Sequence, residues 1–208
     1  MQNLIAAIEI LKKGELKRVV DSRIREFKKT GSGTCDAIFN ELCFCLLTAN
    51  YSAAGGMRIQ QAIGGGFATI EKSELEKRLK ELGHRFPATR AAYICEARKH
   101  RASLKNVIAS HKNEAALREW IVKNVKGLGY KEASHFLRNI GFENLAIIDF
   151  HIIDILERHG LIKRPKTLTR NRYLEIEQVL TKLAKKLGMT LAELDLYLWY
   201  METGKVLK

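Results

Sequence analysis

The sequence predicts an all-α protein, on three observations. Apolar residues recur at helical period through almost every segment, no run alternates apolar and polar as a strand does, and helix start and stop signals punctuate the chain. Leu4, Ile8 and Leu11 form one face of a first helix, which Gly14 ends. Gly31-Ser32-Gly33-Thr34 reads as a linker. From Cys35 to Thr48 the chain is densely apolar, with Ile38, Leu42, Cys45 and Leu46, as a central buried helix requires. Gly64-Gly65-Gly66 breaks the next helix and lacks the strand and spacing of a dinucleotide loop, so it is a turn. Ser73-x-x-Glu76 has the form of a capping box, opening a short helix with Leu75, Leu79 and Leu82 inside and Gly83 beyond. Phe86 precedes Pro87 and is therefore extended, on a loop, and another helix follows from about Ala91 to Lys99. Leu117, Trp120, Ile121 and Val125 stripe one helix, and Ala133, Phe136, Leu137 and Ile140 stripe the next. A helix starts at Asp149 with Ile152, Ile155 and Leu156 inside, and Thr190-x-x-Glu193 opens the last, which runs toward Met201 and stops near Gly204.

At 208 residues and 46% hydrophobic content the chain makes one or two ordinary globular domains. A chain of this length buries roughly 70% of its unfolded surface and needs no covalent staples. The 36 basic against 23 acidic residues, net +13, favour a polyanionic partner, either nucleic acid or an anionic membrane surface. Cysteines at 35, 43, 45 and 95 fit neither a disulfide framework nor a zinc knuckle, and none follows to hold a C-terminal iron–sulfur cluster. Buried or incidental thiols in a reducing cytoplasm are the expectation. The first 14 residues lack the apolar core and cleavage site of a signal peptide, and no apolar run approaches 18 residues, so no membrane span is expected.

Two amphipathic helices joined by Gly127-Leu128-Gly129 form a helix-hairpin-helix. Its glycines allow a tight turn, and the free N–H groups of the second helix make an anion site suited to a DNA phosphate. Lys131 stands just past that turn, where the helix dipole penalises an ammonium. It lies about 200° around the helix from Ala133, off the core stripe, on a face shared with Ser134, His135 and Arg138 that looks either into a cleft or into water. An amine nucleophile must be neutral. Bringing a lysine from about 10.4 to near 7 takes roughly 4–5 kcal/mol, and the dipole, nearby Lys126 and partial desolvation all act in that direction. A solvated helix-start lysine is the plain alternative. Asp149 is a favoured N-cap type. A capping carboxylate has a fixed direction and stays ionised, which suits it to face developing positive charge, while a purely structural role stays open. His151 reads as a packing or hydrogen-bonding residue. Lys163, Arg164, Lys166, Arg170 and Arg172, with no acid among them, either track a DNA backbone or form a solvated loop.

Gly127-Leu-Gly-Tyr-Lys131, followed 18 residues on by Asp149-Phe-His151, resembles the signature of the helix-hairpin-helix DNA glycosylase superfamily. Gly129-Tyr-Lys-Glu-Ala-Ser-His-Phe-Leu-Arg138, Glu41-Leu-Cys-Phe-Cys45, Leu82-Gly-His-Arg-Phe86 and the tail Gly204-Lys-Val-Leu-Lys208 are similar to the archaeal-type 8-oxoguanine DNA glycosylases, across essentially the whole chain. The resemblance implies a bifunctional glycosylase and abasic-site lyase. Lys131 would displace the damaged base at C1′ and form a Schiff base with the sugar, and Asp149 would support the oxocarbenium-like transition state. Gly127, Leu128, Gly129 and Tyr130 would bind the DNA backbone. Asn50 stands where related enzymes place the wedge that fills the gap left by a flipped nucleotide; a turn amide is its plain alternative. Trp199 would stack on the base, Phe86 is a weaker candidate for the opposite face, and the terminal carboxylate of Lys208 would reach toward the lesion. Ordinary packing remains open for Trp199.

The resemblance further implies a helical barrel over residues 35–140 and a second subdomain built from residues 1–34 and 141–208, with a DNA groove between them. The partner is double-stranded DNA containing 8-oxoguanine. No metal or organic cofactor is expected for the chemistry, although related hairpins hold a monovalent cation through carbonyls. A monomer in the cytoplasm, at the nucleoid, is the expected setting.

Overall fold

The computed structural model describes residues 1–208, and every regular element in it is helical. The α-helices are α1 (Gln2–Lys13), α2 (Leu16–Ser32), α3 (Cys35–Thr48), α4 (Ala53–Ile63), α5 (Lys72–Glu81), α6 (Pro87–Ala97), α7 (Leu104–Ser110), α8 (Glu114–Asn124), α9 (Tyr130–Asn139), α10 (Phe150–Arg158), α11 (Arg170–Leu187) and α12 (Leu191–Thr203). Two 3₁₀ turns, Gly64–Ala68 and Arg98–Ser103, join α4 to α5 and α6 to α7. Side chains of Thr34, Ser52, Asn113, Asp149, Thr169 and Thr190 each accept a hydrogen bond from an N–H of the first turn, which satisfies donors that a helix start would otherwise leave free. Thr190 and Glu193 complete the full reciprocal box.

Three local expectations are corrected. Gly31 and Ser32 belong to α2, and no linker separates it from α3 beyond Gly33 and Thr34. A Cβ on Gly31 would stand 1.9 Å from the Ile140 carbonyl oxygen, so the glycine serves the close crossing of α2 over the end of α9. Ser73 and Glu76 form no capping box: α5 begins two residues earlier than that box would start it, at Lys72 with Glu71 at the N-cap and no side-chain cap. The helix expected from about Ala91 starts at Pro87, whose fixed φ and missing N–H suit a first helical position.

Two hydrophobic cores organise these helices. One gathers buried side chains between Ile38 and Leu145 around α3, whose residues from Leu42 to Leu47 are 0% exposed. Each large apolar side chain so buried contributes about 1.5–3 kcal/mol. The other joins α1 and α2 to Ala146 and the helices α10 to α12. Helix α2 touches α3 and α9 on one side and α12 on the other, bridging the two. Between the cores the chain from Leu145 to Asp149 has no regular structure, and that is where the candidate site forms.

Candidate active site

Helices α8 and α9 pack side by side around the hairpin. Gly127 has φ +93°, and a Cβ there would meet the Tyr93 ring at 2.3 Å, so the turn admits only glycine without displacement. Leu128 is buried beneath the turn. Gly129 N–H donates to Glu132 Oε2 at 3.3 Å, and the first turn's main-chain bonding starts with Ala133 N–H to the Gly129 carbonyl. The amides of Tyr130, Lys131 and Glu132 make no bond within the protein, leaving a row of donors for an anion. The Tyr130 side chain turns away from that row: its hydroxyl donates to Glu119 and accepts from Arg170 Nε at 2.5 Å.

Beside the hairpin opens a cavity of about 810 Å³ at the junction of the two cores. Of the residues singled out in the sequence it brings together Lys131, Asp149, Asn50, Trp199 and Lys208, with His135, Arg138 and His151, and it adds Asp195. Lys131 enters from the first turn of α9, its side chain 27% exposed, with Nζ 3.8 Å from Glu132 Oε1. Asp149 caps α10 by accepting the Ile152 N–H on Oδ1 at 3.1 Å, and Oδ2 has no partner within the protein. Asn50, exposed at the rim, has φ +58°, a left-handed conformation that asparagine tolerates. Trp199 is half-buried, its Nε1 buried without a partner, and the His151 ring meets it edge-on at 5.0 Å. Lys208 sends Nζ to Glu41 Oε2 at 2.8 Å and Gln60 Oε1 at 2.5 Å, over the Phe44 ring.

The polar face of α9 is buried, where the sequence allowed either a cleft or water. Ser134 is 0%, Arg138 4% and His135 7% exposed. Burial, reinforced by the charges of Arg138 and Lys131, holds the His135 imidazole well below its usual pKa, so it is neutral. Arg138 pairs with Asp195 and donates to Asn139 Oδ1, and Asn139 in turn donates to Glu41 Oε1 at 2.7 Å. Burial raises the Asp195 carboxyl from 3.8 to about 6 despite Arg138, with Asp149 adding to the rise. Glu41 and Phe150 entered the sequence reading only as members of the resemblance motifs, with no role assigned; Phe150 is 62% exposed, its ring centroid 3.9 Å from that of His151.

Phe86 does not line this cavity. Its N–H donates to His84 Nδ1 and its ring carries the Arg85 guanidinium, 5.0 Å from the centroid. The basic run from Lys163 to Arg172 is exposed, and its arginines carry ion pairs. Arg164 pairs with Asp154 and Glu157 of α10 and Arg170 with Glu119 of α8, while Arg172 pairs with Glu175 one turn along its own helix α11. Cys43 and Cys45 are buried, and burial pushes both thiols up. No helix is long and apolar enough to cross a membrane.

With this geometry in view, the chain can be set beside known proteins. A family model described as 8-oxoguanine DNA glycosylase matches residues 20–189. An 8-oxoguanine DNA glycosylase/AP lyase of Korarchaeum cryptofilum is 52% identical over 209 residues, covering 100% of this chain and 99% of that one. The crystal structure of the Methanocaldococcus jannaschii 8-oxoguanine glycosylase/lyase in complex with a 15mer DNA containing 8-oxoguanine has 51% identity and a TM-score of 0.96, covering 99% of each chain. The 8-oxoguanine DNA glycosylase of Thermotoga maritima superposes with a TM-score of 0.94 at 46% identity, covering 100% of this chain and 99% of its own.

Proposed function

We propose a lysine-nucleophile repair mechanism from the premise that this chain belongs to the 8-oxoguanine DNA glycosylase family, as its match over residues 20–189 and its full-length relatives show. The chain removes 8-oxoguanine from double-stranded DNA and then cleaves the strand at the abasic site. The observation that carries the reading is the convergence of Lys131 and Asp149 on one cavity, beside a hairpin with three unbonded amides.

The hairpin residues Gly127 to Tyr130 bind the backbone through main-chain donors, so Tyr130 contributes its amide and not its ring. The duplex lies in the groove between the 35–140 barrel and the subdomain formed by 1–34 and 141–208. Asn50, exposed at the rim, fills the space the flipped nucleotide leaves. The base enters the cavity against Trp199, and the Lys208 terminus supplies an acceptor for the N7–H that distinguishes 8-oxoguanine from guanine. The Lys131 amine attacks C1′ as the glycosidic C–N bond breaks, and the departing base takes a proton from the amine. Asp149, unpaired on Oδ2, stabilises the positive charge that develops on the sugar. Ring opening gives the imine, loss of a C2′ proton follows, and the C3′–O bond breaks with departure of the 3′ phosphate. The protein works on DNA as a monomer and uses no metal or organic cofactor for these steps.

Strand cleavage is to be compared on duplexes carrying 8-oxoguanine, guanine or thymine glycol at one position, with wild type and Lys131→Gln. Cleavage of the 8-oxoguanine duplex by wild type alone supports the reading. Preference for thymine glycol refutes the substrate, and full activity of Lys131→Gln refutes the nucleophile.

A further inference from the structure

The irregular segment Leu145–Ile148, which delivers Asp149, makes no main-chain hydrogen bond to a helix or a neighbouring loop. Three of its polar groups are met instead by two side chains of α11. Ala146 N–H donates to Glu177 Oε2 at 2.9 Å, the Tyr173 hydroxyl donates to the Ala146 carbonyl at 2.7 Å, and Ile148 N–H donates to that same hydroxyl at 3.2 Å. The same two side chains are joined to the helix that carries Lys131. Arg118 of α8, 1% exposed, donates to Glu177 through both terminal nitrogens at 2.6 and 2.8 Å and to Ser134 Oγ at 3.2 Å. Ser134 Oγ also lies 3.4 Å from the Tyr173 hydroxyl, and Ser134 sits one helical turn beyond Lys131. The Arg118 guanidinium lies over the rings of Tyr130 and Tyr173 at 5.1 and 5.6 Å.

We propose that Tyr173, Glu177 and Arg118 are positioning residues that set the distance between the Lys131 amine and the Asp149 carboxylate. The proposal rests on the lysine reading above and concerns groups that touch neither the base nor the sugar. Its physical basis is that one buried hydroxyl and one half-buried carboxylate hold the carboxylate's segment, while a shared serine and arginine hold the nucleophile's helix. A charged pair satisfied from both sides resists displacement, since removing either partner strands the other out of water. Reaction rates fall about a hundredfold for misplacements on the order of 1 Å. A clamp that fixes both reacting groups therefore acts on the chemical step, and it reaches the hairpin only at the Tyr130 ring, not at the main-chain donors.

The test uses the full chain with Tyr173→Phe, which removes one hydroxyl, and Glu177→Gln, which keeps the side chain's shape and removes its charge. For each variant and wild type, four quantities are read well below that variant's Tm: Tm itself, Kd for the 8-oxoguanine duplex, the single-turnover cleavage rate, and the rate of borohydride-trapped adduct on a preformed abasic site. The expected result is a Kd within about twofold of wild type, with both rates falling together by about tenfold or more. Lowered Tm with unchanged rates would overturn the proposal and leave the residues as packing. A loss confined to Kd would also overturn it. Should one variant fail to fold, the other decides. Failure of the lysine reading shows separately: a wild type that forms no trapped adduct removes that chemistry, and the clamp with it, whatever the variants do.

Discussion

Asp149 carries two tasks that substitution can separate. Its Oδ1 accepts the Ile152 N–H at 3.1 Å and so caps α10, while Oδ2 is free to face charge in the cavity. Asp149→Ala removes both. Loss of a side-chain cap costs about 1 kcal/mol, in a range of roughly 0.5–2. For a domain of this size that is a Tm fall of about 2–4 °C. Asp149→Ser restores a good cap, because serine ranks beside aspartate at that position, and should return Tm to within about 1 °C of wild type. Neither variant retains a carboxylate, so both should lose single-turnover excision by about a hundredfold, the scale of one lost transition-state electrostatic contact. The assay pairs thermal denaturation with excision of 8-oxoguanine from a labelled duplex under enzyme excess. An Asp149→Ser protein with wild-type rates would show that the residue only caps its helix, and the mechanism above would lose its carboxylate.

Three other perturbations follow from particular contacts. Gly31→Ala places a methyl 1.9 Å from a backbone oxygen of Ile140 and should lower stability by about 2 kcal/mol or more, whereas Gly65→Ala, with nothing within 4 Å of its Cβ, should change little by the same denaturation assay. Affinity for duplex DNA should fall steeply between about 50 and 200 mM salt, and Arg172→Ala should leave that slope unchanged because Arg172 is committed to Glu175; a flat response in wild type refutes the phosphate role. Asp195 holds its proton in the folded chain to about pH 6, whereas the unfolded chain gives it up near 3.8, so this group weakens folding as pH rises across that interval and adds nothing further above it. The stability difference between wild type and Asp195→Asn should therefore vary between pH 4 and 6, by at most about 1.4 kcal/mol per unit, and level off above pH 7 when followed by urea denaturation.

What could be read from the sequence was what local chemistry determines. The stripes of α8 and α9, the glycine hairpin between them, the Thr190 box and the Asp149 cap all depend on residues within a turn or two of one another. Lys131 and Asp149 were legible for that reason, each marked by its place at a helix start. The rest of the cavity depends on distant partners. Arg138 meets Asp195 across 57 residues of sequence and Lys208 meets Glu41 across 167, so neither pair leaves a local trace. The face of α9 that carries His135 is polar by composition and buried by tertiary contact, which periodicity alone cannot report. The same limit explains Arg164 and Arg170, whose carboxylates lie on α10 and α8, and Gly31, whose small size answers to Ile140 rather than to a turn. Phe86 was placed correctly before a proline, yet its loop carries it outside the cavity.

The central claim is that one amine, the Nζ of Lys131, bonds to the sugar. Wild type and Lys131→Gln are to be incubated with an 8-oxoguanine duplex in the presence of borohydride, and the trapped conjugate digested and mapped by mass spectrometry. The account predicts a single conjugate in wild type, with the deoxyribose on Lys131, and none in the variant although it still binds the duplex. A conjugate mapped to any other residue, or one formed equally by Lys131→Gln, would contradict it.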